Sequence, residues 1–314
     1  MVSYKAVKVI SSLLILLGIF SIVFQLNKNS LNALPKSGKI LDFTEGKINY
    51  VGVRIIQQYT IDDSNLGIIN IAVSFPNPMP SHPLPVLFIL GGLETGFDSV
   101  QHVSDIGDNI LVGYNWPINS KLPKGISILT ESSNIYKGIY KSPGQIAKAI
   151  EWVSNQSWSE KEKISLLGFS IGSIVSPAVQ HIIENRGVTK IGWTVLAYGG
   201  TNIGQLVNSN PNIKPKWAKP LFGWIIQLLF NPIDPKEHLE YISGNFLLIN
   251  GKDDEFIPKE SSSLMQKLTP SPKNIILLDG KHMGVGKKQK ELLSIIIKET
   301  KMWLKQNGAI NPNF

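Results

Sequence analysis

A serine in the middle of the chain has the neighbours that nucleophilic catalysis requires. Residues 168–172 read Gly-Phe-Ser-Ile-Gly, with Ser170 between two glycines. Apolar runs on either side predict a strand over residues 163–167 and a helix over residues 171–184. At such a sharp strand-to-helix turn, a serine hydroxyl is exposed beside free helix N–H groups, which favour a developing anion. The alternative is a tight turn whose serine has no chemical role.

A serine hydroxyl needs a general base, and the sequence contains five histidines. His282 directly follows the last predicted strand, residues 274–278. It should therefore lie at the sheet edge where strands of a parallel sheet lead into their helices. His102, which follows a glycine-rich loop, is the second candidate. The alternative for His282 is a loop histidine bonded only to water.

The base in turn needs a carboxylate that orients it. Three acidic residues follow the predicted strand 245–250, and the stretch after the preceding strand, residues 197–202, contains none. The acid is therefore Asp253, Asp254 or Glu255, unless these residues only form a turn. Any of the three gives the chain order serine, acid, histidine.

A tetrahedral anion needs two N–H donors. The backbone N–H of Ile171, the residue after the serine, is the first candidate. The second is expected in the glycine-rich loop 91–96, where Gly92 and Leu93 are the leading candidates. A plain glycine-rich turn is the alternative for this loop.

Strand-like and helix-like segments alternate around these residues. Apolar runs predict strands at residues 49–59, 66–75, 86–90, 109–114, 163–167, 190–197, 245–250 and 274–278. Helices are predicted from Ser142-Pro143 onward and at residues 171–184, 260–268 and 288–305. This order predicts an α/β protein with a mostly parallel sheet and helices on both faces.

One segment interrupts the alternation. Residues 201–234 contain several prolines and a dense apolar block, which predicts a small cap inserted into a catalytic domain that spans residues 47–314. Trp217, Phe222 and Trp224 are candidates for a substrate pocket or for a lid that dips into a membrane. The alternative is a cap helix packed against the body of the domain.

The motifs together resemble the α/β-hydrolase superfamily over residues 85–305. The resemblance is carried by Phe-Ile-Leu-Gly-Gly at 88–92, the serine motif at 168–172, Gly-Lys-Asp-Asp-Glu-Phe-Ile-Pro at 251–258 and Gly-Lys-His at 280–282. The third motif is similar to the G-x-x-D-x-x-[VI]-P pattern of dienelactone-hydrolase-like and acyl-peptidase-like members, which implies Asp254 as the acid. Many members have His-Gly at the oxyanion loop, where this chain has Leu90-Gly91, so the second donor stays open.

The N-terminus differs in composition from the rest of the chain. Residues 9–26 carry no charge and follow Lys5 and Lys8, which predicts an uncleaved membrane anchor. A cleaved signal peptide and a buried core helix are the alternatives. Residues 27–46 are expected to be a linker. Lysines on both sides of the apolar segment leave its orientation weakly determined. We expect the catalytic body outside the cytoplasm, on the periplasmic or extracellular side, or secreted if the segment is cleaved.

Composition excludes several classes of function. The chain has no cysteine, so disulfides, thiol catalysis and cysteine-bound zinc are excluded. The net charge of +8 comes from scattered lysines, which argues against a nucleic-acid partner. The histidines lack the spacing of metal ligands, and no nucleotide-binding fingerprint is present. We therefore expect neither a metal nor a cofactor.

These features favour a serine hydrolase that cleaves a carboxylic ester or thioester of a small molecule. A serine peptidase or an acyltransferase could use the same three side chains. A catalytically silent, membrane-anchored binding protein is the alternative from another class, although such a protein needs no serine, acid and histidine in this order.

Overall fold

The fold is built on one nine-stranded sheet. The computed structural model describes residues 16–18, 29–93, 95–103, 106–118, 127–283 and 290–311, with the backbone alone over 127–133. Within these residues the strands are β1 (Ile40–Val51), β2 (Arg54–Asp63), β3 (Gly67–Pro76), β4 (Leu84–Leu90), β5 (Ile110–Asn115), β6 (Ser159–Phe169), β7 (Trp193–Ala197), β8 (Asn245–Gly251) and β9 (Lys273–Leu278).

The strand order creates a crevice between β4 and β6. The order across the sheet is β1-β2-β3-β5-β4-β6-β7-β8-β9, with β1, β2 and β3 antiparallel to their neighbours and every pair from β5 to β9 parallel. The chain leaves β4 toward β5 on one side and leaves β6 toward β7 on the other. Ligands of open parallel sheets bind where connections diverge in this way, at the carboxyl ends of the strands.

Helices cover both faces of the sheet, as predicted. They are α1 (Ser30–Ala33), α2 (Ser127–Ser154), α3 (Ile171–Arg186), α4 (Ile203–Ser209), α5 (Lys219–Phe230), α6 (Lys259–Leu268) and α7 (Lys290–Gln306). Side chains of α2 and α3 form one buried cluster with β3, β4 and β6, whereas α7 packs into a second cluster on the opposite face. Every residue of β4 is buried, as expected for an apolar strand with both faces covered.

The region before β4 differs from the prediction. The strand expected at residues 49–59 is the junction of β1 and β2, which pair as a hairpin across Gly52 and Val53. Gly52 has a positive φ of 57°, a conformation that glycine adopts at little cost and that allows the tight reversal. The segment expected to be a linker, residues 27–46, contains α1 and the first half of β1.

The helix expected to begin at Ser142-Pro143 is also longer than predicted. Helix α2 begins at Ser127, so Pro143 lies inside it. The Ser142 hydroxyl does not cap a helix but donates to the Gly138 carbonyl of the preceding turn, at 2.8 Å. Ile139 and Tyr140 pack against the core, and this tertiary contact holds the turn before the proline in helical form.

The apolar segment at residues 9–26 lies outside the described residues, apart from residues 16–18, which are helical. No helix in the described part of the chain is both long and apolar enough to cross a bilayer. The anchor and the signal peptide therefore stay predictions.

The predicted cap is a pair of short helices, α4 and α5. Gly204 and Gly223 lie at their contact, where a Cβ on either residue would meet the backbone of the other helix. The buried carboxylate of Asp234 accepts from the N–H groups of Asn202 and Ile203, at 3.0 and 2.9 Å, and so ties the end of the cap to its beginning.

Two histidines fasten the segment after the cap to α3. The Nδ1 atoms of His181 and His238 are 3.0 Å apart, and Nε2 of His238 lies 2.8 Å from the Pro232 carbonyl. Because that carbonyl can only accept, His238 donates through Nε2 and accepts from His181 through Nδ1. The pKa of His238 is lowered to about 4, mainly by burial; the Pro232 carbonyl acts to raise it and the neighbouring His181 to lower it.

The low pKa of His238 predicts acid sensitivity of the fold. The unfolded histidine takes up a proton near pH 6.5, whereas the folded one stays neutral until about pH 4. This difference leaves the free energy of unfolding unchanged above about pH 6.5. As the pH falls from 6.5 toward 4, the free energy of unfolding decreases by up to about 3 kcal/mol. Urea unfolding at a series of pH values measures this loss. His238→Gln should unfold more easily at neutral pH but show a shallower decline; parallel curves would contradict the assignment.

Candidate active site

Ser170 sits in a strained turn between β6 and α3. Its backbone has φ 54° and ψ −116°, a conformation that residues other than glycine rarely adopt. The Ser170 N–H donates to the Ala197 carbonyl at the end of β7, at 2.9 Å. Strain of this kind persists only where the surrounding structure holds it, and here the neighbouring strand does so.

The two glycines of the motif permit the turn for a steric reason. A Cβ at Gly172 would overlap the carbonyl oxygen of Leu90 at the end of β4. A Cβ at Gly168 would collide with the Ser176 hydroxyl and lie 2.7 Å from the Gly172 carbonyl oxygen. The first turn of α3 can therefore press against β4 and β6 only when both residues are glycine.

Three predicted side chains meet at this turn. The Oγ of Ser170 lies 3.1 Å from Nε2 of His282, and Nδ1 of His282 lies 2.8 Å from Oδ2 of Asp254. A carboxylate can only accept, so Nδ1–H of His282 donates to it. Nε2 is then the unprotonated nitrogen, oriented to accept the proton of the Ser170 hydroxyl.

The structure also separates the three acidic candidates. Oδ1 of Asp254 accepts from the N–H groups of Phe256 and Ile257, at 2.8 and 3.0 Å, and its side chain is only 2% exposed. Asp253 points into solvent. Glu255 accepts from the backbone N–H of His282, at 3.3 Å. Only Asp254 of the three is bonded to the imidazole ring.

None of the other four histidines is hydrogen-bonded to Ser170 in the described structure. His102 lines the cavity beside Ser170, but the ring within hydrogen-bond distance of the serine is that of His282. His82 lies in the exposed loop before β4. His181 and His238 bond each other on the far side of α3.

The candidate oxyanion donors lie next to Ser170. Ile171 is the first residue of α3, so its N–H has no acceptor within the helix. Gly92 and Leu93 line the same cavity as Ser170. The Gly92 carbonyl accepts from the N–H and the hydroxyl of Thr95, at 3.1 and 2.8 Å, which fixes the conformation of this loop.

A cavity of about 250 Å³ opens beside Ser170 and His282. Its lining is mostly apolar and comes from β4 and the loop after it, the 3₁₀ turn Gly96–Gln101 and the two residues after it, the end of β6, the segment after β9 and α7: Ile89, Gly91, Gly92, Leu93, Thr95, Ser99, His102, Val103, Phe169, Met283, Leu293 and Ile297. Trp217, Phe222 and Trp224 do not line it and are exposed on the cap. The structure therefore does not bring these three cap residues to the serine.

Sequence reasoning missed two aromatic side chains that enclose the histidine. The rings of Tyr198 and His282 are nearly perpendicular, with centroids 5.6 Å apart, and the ring of Phe256 lies 5.1 Å from that of His282. Burial, followed by the charge of Asp254, raises the pKa of Tyr198 to about 12, so its phenol stays neutral. Tyr198 directly follows β7, in residues 197–202, where the sequence pattern indicates only the lack of a carboxylate. No sequence pattern indicates its positive φ of 56°.

The same architecture occurs in solved esterases. Acetyl xylan esterase 1 from Thermoanaerobacterium sp. JW/SL YS485 has a TM-score of 0.56 at 15% identity, over 89% of this chain and 93% of its own. The acetyl xylan esterase from Paenibacillus sp. R4 has a TM-score of 0.60 at 13% identity, over 89% of this chain and 94% of its own. The hyperthermophilic esterase from the archaeon Pyrobaculum calidifontis has a TM-score of 0.56 at 14% identity, over 91% of this chain and 92% of its own.

The chain has the α/β-hydrolase fold. No protein-family model matches its sequence, and no curated protein is significantly similar to it. At these identities the likeness establishes the fold, so the α/β-hydrolase architecture expected from the motifs is confirmed.

Among the described residues, no group of three or more His, Asp or Glu side chains could hold a metal ion.

The contact between Gly172 and β4 can be tested by substitution. We expect Gly172→Ala to lower the free energy of unfolding by roughly 1–3 kcal/mol, because the new methyl group forces α3 away from Leu90. Gly92→Ala is the matched control, since a Cβ there meets no atom within 4 Å. Denaturant unfolding of both variants provides the measurement. Equal stability of the two variants would show that the strand and helix are not in tight contact.

Proposed function

We propose that this protein is a serine hydrolase that cleaves carboxylic esters through an acyl-enzyme. The observation that carries the proposal is the continuous hydrogen-bonded line from Ser170 through His282 to the buried Asp254, opening onto an apolar cavity. The esterase activities named for the similar structures agree with it.

Each group in the line has a chemical role. His282 removes the hydroxyl proton as Oγ of Ser170 attacks the ester carbonyl carbon. Asp254 keeps the proton on Nδ1, which leaves Nε2 free as the base, and stabilises the imidazolium that forms. His282 then returns the proton to the leaving alcohol as the tetrahedral intermediate collapses. Water, activated by the same imidazole, releases the acid from Ser170.

The negative charge on the tetrahedral intermediate requires N–H donors. We assign one to the backbone N–H of Ile171 at the N-terminus of α3, where the helix dipole adds to the stabilisation. The second comes from Gly92 or Leu93, whose loop is fixed by Thr95. Both are backbone groups, so they need no particular side chain and tolerate Leu90-Gly91 in place of His-Gly.

The volume of the cavity limits the length of the acyl group that it can hold. About 250 Å³ of mostly apolar space holds a short acyl chain better than a long one. Two of the similar structures are named acetyl xylan esterases, enzymes named for an acetyl substrate. We therefore propose esters of short carboxylic acids as the substrate class. A thioester presents the same carbonyl carbon and fits the same mechanism.

Removal of the nucleophile tests the proposal. Ser170→Ala should abolish labelling by a fluorophosphonate probe and lower kcat for nitrophenyl acetate by roughly 10³–10⁶ while the fold persists. Circular dichroism of the variant provides the control for folding. Hydrolysis near the rate of the unchanged protein would refute the assignment of Ser170, and faster turnover of a long-chain ester would refute the substrate class.

The neighbouring acids provide a matched pair of variants. Asp254→Asn should lower kcat by about 10³–10⁴, because an amide favours the wrong tautomer of His282. Asp253→Asn should have little effect, since its side chain is exposed. Steady-state kinetics on the same ester compares them. A greater loss at Asp253 would place the orienting acid one residue earlier.

A further inference from the structure

Helix α5 of the cap has its polar residues turned inward. The Lys219 ammonium donates to the Asn210 carbonyl, at 2.5 Å. Gln227 accepts from the N–H of Gly204, at 2.8 Å, and donates to Asp234, at 2.9 Å. These are the polar side chains of the helix, whose sequence is KPLFGWIIQLLF. The outward surface of α5 is therefore left to apolar side chains.

That surface carries a stripe of apolar side chains, of which Leu221 and Trp224 are exposed and Ile225 and Leu228 are half-buried. Leu221, Trp224, Ile225 and Leu228 have the helical spacing that places side chains on one face. Leu221 is 56% exposed, and Phe222 and Trp224 are exposed beside it. We call Trp217, Leu221, Phe222, Trp224, Ile225 and Leu228 the apolar cap face. In a typical surface helix such a stripe faces the core, so its outward position indicates an interaction surface.

The residues around the apolar cap face are basic. Lys214 and Lys216 are exposed and shortly precede Trp217, which is 82% exposed. No acidic residue occurs between positions 201 and 233 of the sequence. Within the described part of the chain, neither lysine forms an ion pair. The positive charge at the edge of the apolar surface is thus unneutralised.

We propose that the apolar cap face docks onto a lipid bilayer that contains anionic lipids. Exposed tryptophan beside lysine suits the boundary between headgroups and acyl chains. An outward apolar stripe with lysines at its edge is the arrangement by which a helix lies in the plane of that boundary. The charge favours anionic headgroups as the occupant over a neutral apolar surface or a second copy of this basic chain.

Docking of the apolar cap face would bring the sheet edge that carries Ser170 close to the membrane. The chain returns to the sheet at the amino end of β8, but α5 packs against Gly204, which lies shortly after the carboxyl end of β7, the edge that carries Ser170. A bilayer against α5 therefore lies beside this edge. The docking itself rests neither on hydrolysis nor on residues 9–26, so it can be tested separately from both.

The absence of cysteine allows a site-specific test in the full chain. Leu221→Cys and Lys161→Cys are each labelled with an environment-sensitive NBD fluorophore. Position 161 is exposed near the amino end of β6, at the opposite sheet edge, and serves as the matched control. Vesicles of phosphatidylcholine with phosphatidylglycerol should shift the emission of NBD at position 221 to the blue. Doxyl groups on the acyl chains should quench that label and leave the label at position 161 unchanged.

The charge requirement is tested in the same assay. Lys214→Gln combined with Lys216→Gln should weaken the docking equilibrium of the label at position 221 by about 30-fold, since each lysine near an anionic surface contributes roughly 1 kcal/mol. Vesicles of phosphatidylcholine alone should reduce docking to a similar extent. None of the substituted residues lines the cavity beside Ser170, so hydrolysis of nitrophenyl acetate should persist in every labelled form and reports correct folding.

Three outcomes would overturn the proposal. The chain can sediment with vesicles while the label at position 221 stays unquenched, which would place the membrane contact elsewhere. The label can be blue-shifted without vesicles and insensitive to them, which would mean that another part of the chain or a second copy covers the face. Equal quenching at positions 221 and 161 would indicate non-specific adsorption.

Discussion

The close contact between the first turn of α3 and the end of β4 is the constraint on which the rest of the site depends. The Leu90 carbonyl occupies the space that a side chain at residue 172 would need, and Leu90 is itself paired in register with Gly168 of β6. Ser170 therefore begins its helix directly above the crevice between these strands. The hydrogen bond from Ser170 to Ala197 adds a third strand, β7, to the elements that hold the strained turn.

The remaining groups of the site depend on the same sheet edge. Asp254 follows β8 and His282 follows β9, so parallel register places both loops beside the turn. Two backbone N–H groups fix one oxygen of Asp254 and leave the other for the imidazole. Tyr198 and Phe256 then exclude water from one side of the ring. In this low-dielectric setting the hydrogen bond to the carboxylate is stronger than it would be in water.

The cap follows a different principle from the body. Its polar side chains satisfy the backbone groups that the α4–α5 pair would otherwise bury unpaired, and Asp234 joins both ends of the insertion. Small residues at the helix contact leave no room there for large apolar side chains. Leu221, Phe222 and Trp224 consequently lie on the outside of the cap, which is held together largely by hydrogen bonds.

The sequence by itself predicted the α/β architecture and the chain order of the three side chains proposed for catalysis. Continuous apolar runs identified the buried strands, and the residues that follow three of them, Ser170, Asp254 and His282, could be proposed because strand ends of a parallel sheet share one edge. Local patterns failed where a long-range contact overrides them. Pro143 reads as a helix start, yet packing of the residues before it continues the helix. For the apolar residues of the cap, the sequence left a substrate pocket, a membrane-dipping lid and a packed cap helix open, because no local pattern shows which face of a helix meets the protein.

Only the tertiary structure decided the cavity and its walls. Much of its lining comes from β4 and the 3₁₀ turn and from the C-terminal helix, which follows them by about two hundred residues and meets them only when the sheet is assembled. The structure likewise separated Asp254 from Asp253 and Glu255 by hydrogen-bond geometry, where position after a strand left all three open and only the resemblance to a known motif implied Asp254. The physical reason is common to both: a periodic pattern records which side chains are buried, whereas the direction and distance between side chains on different strands follow from register and packing.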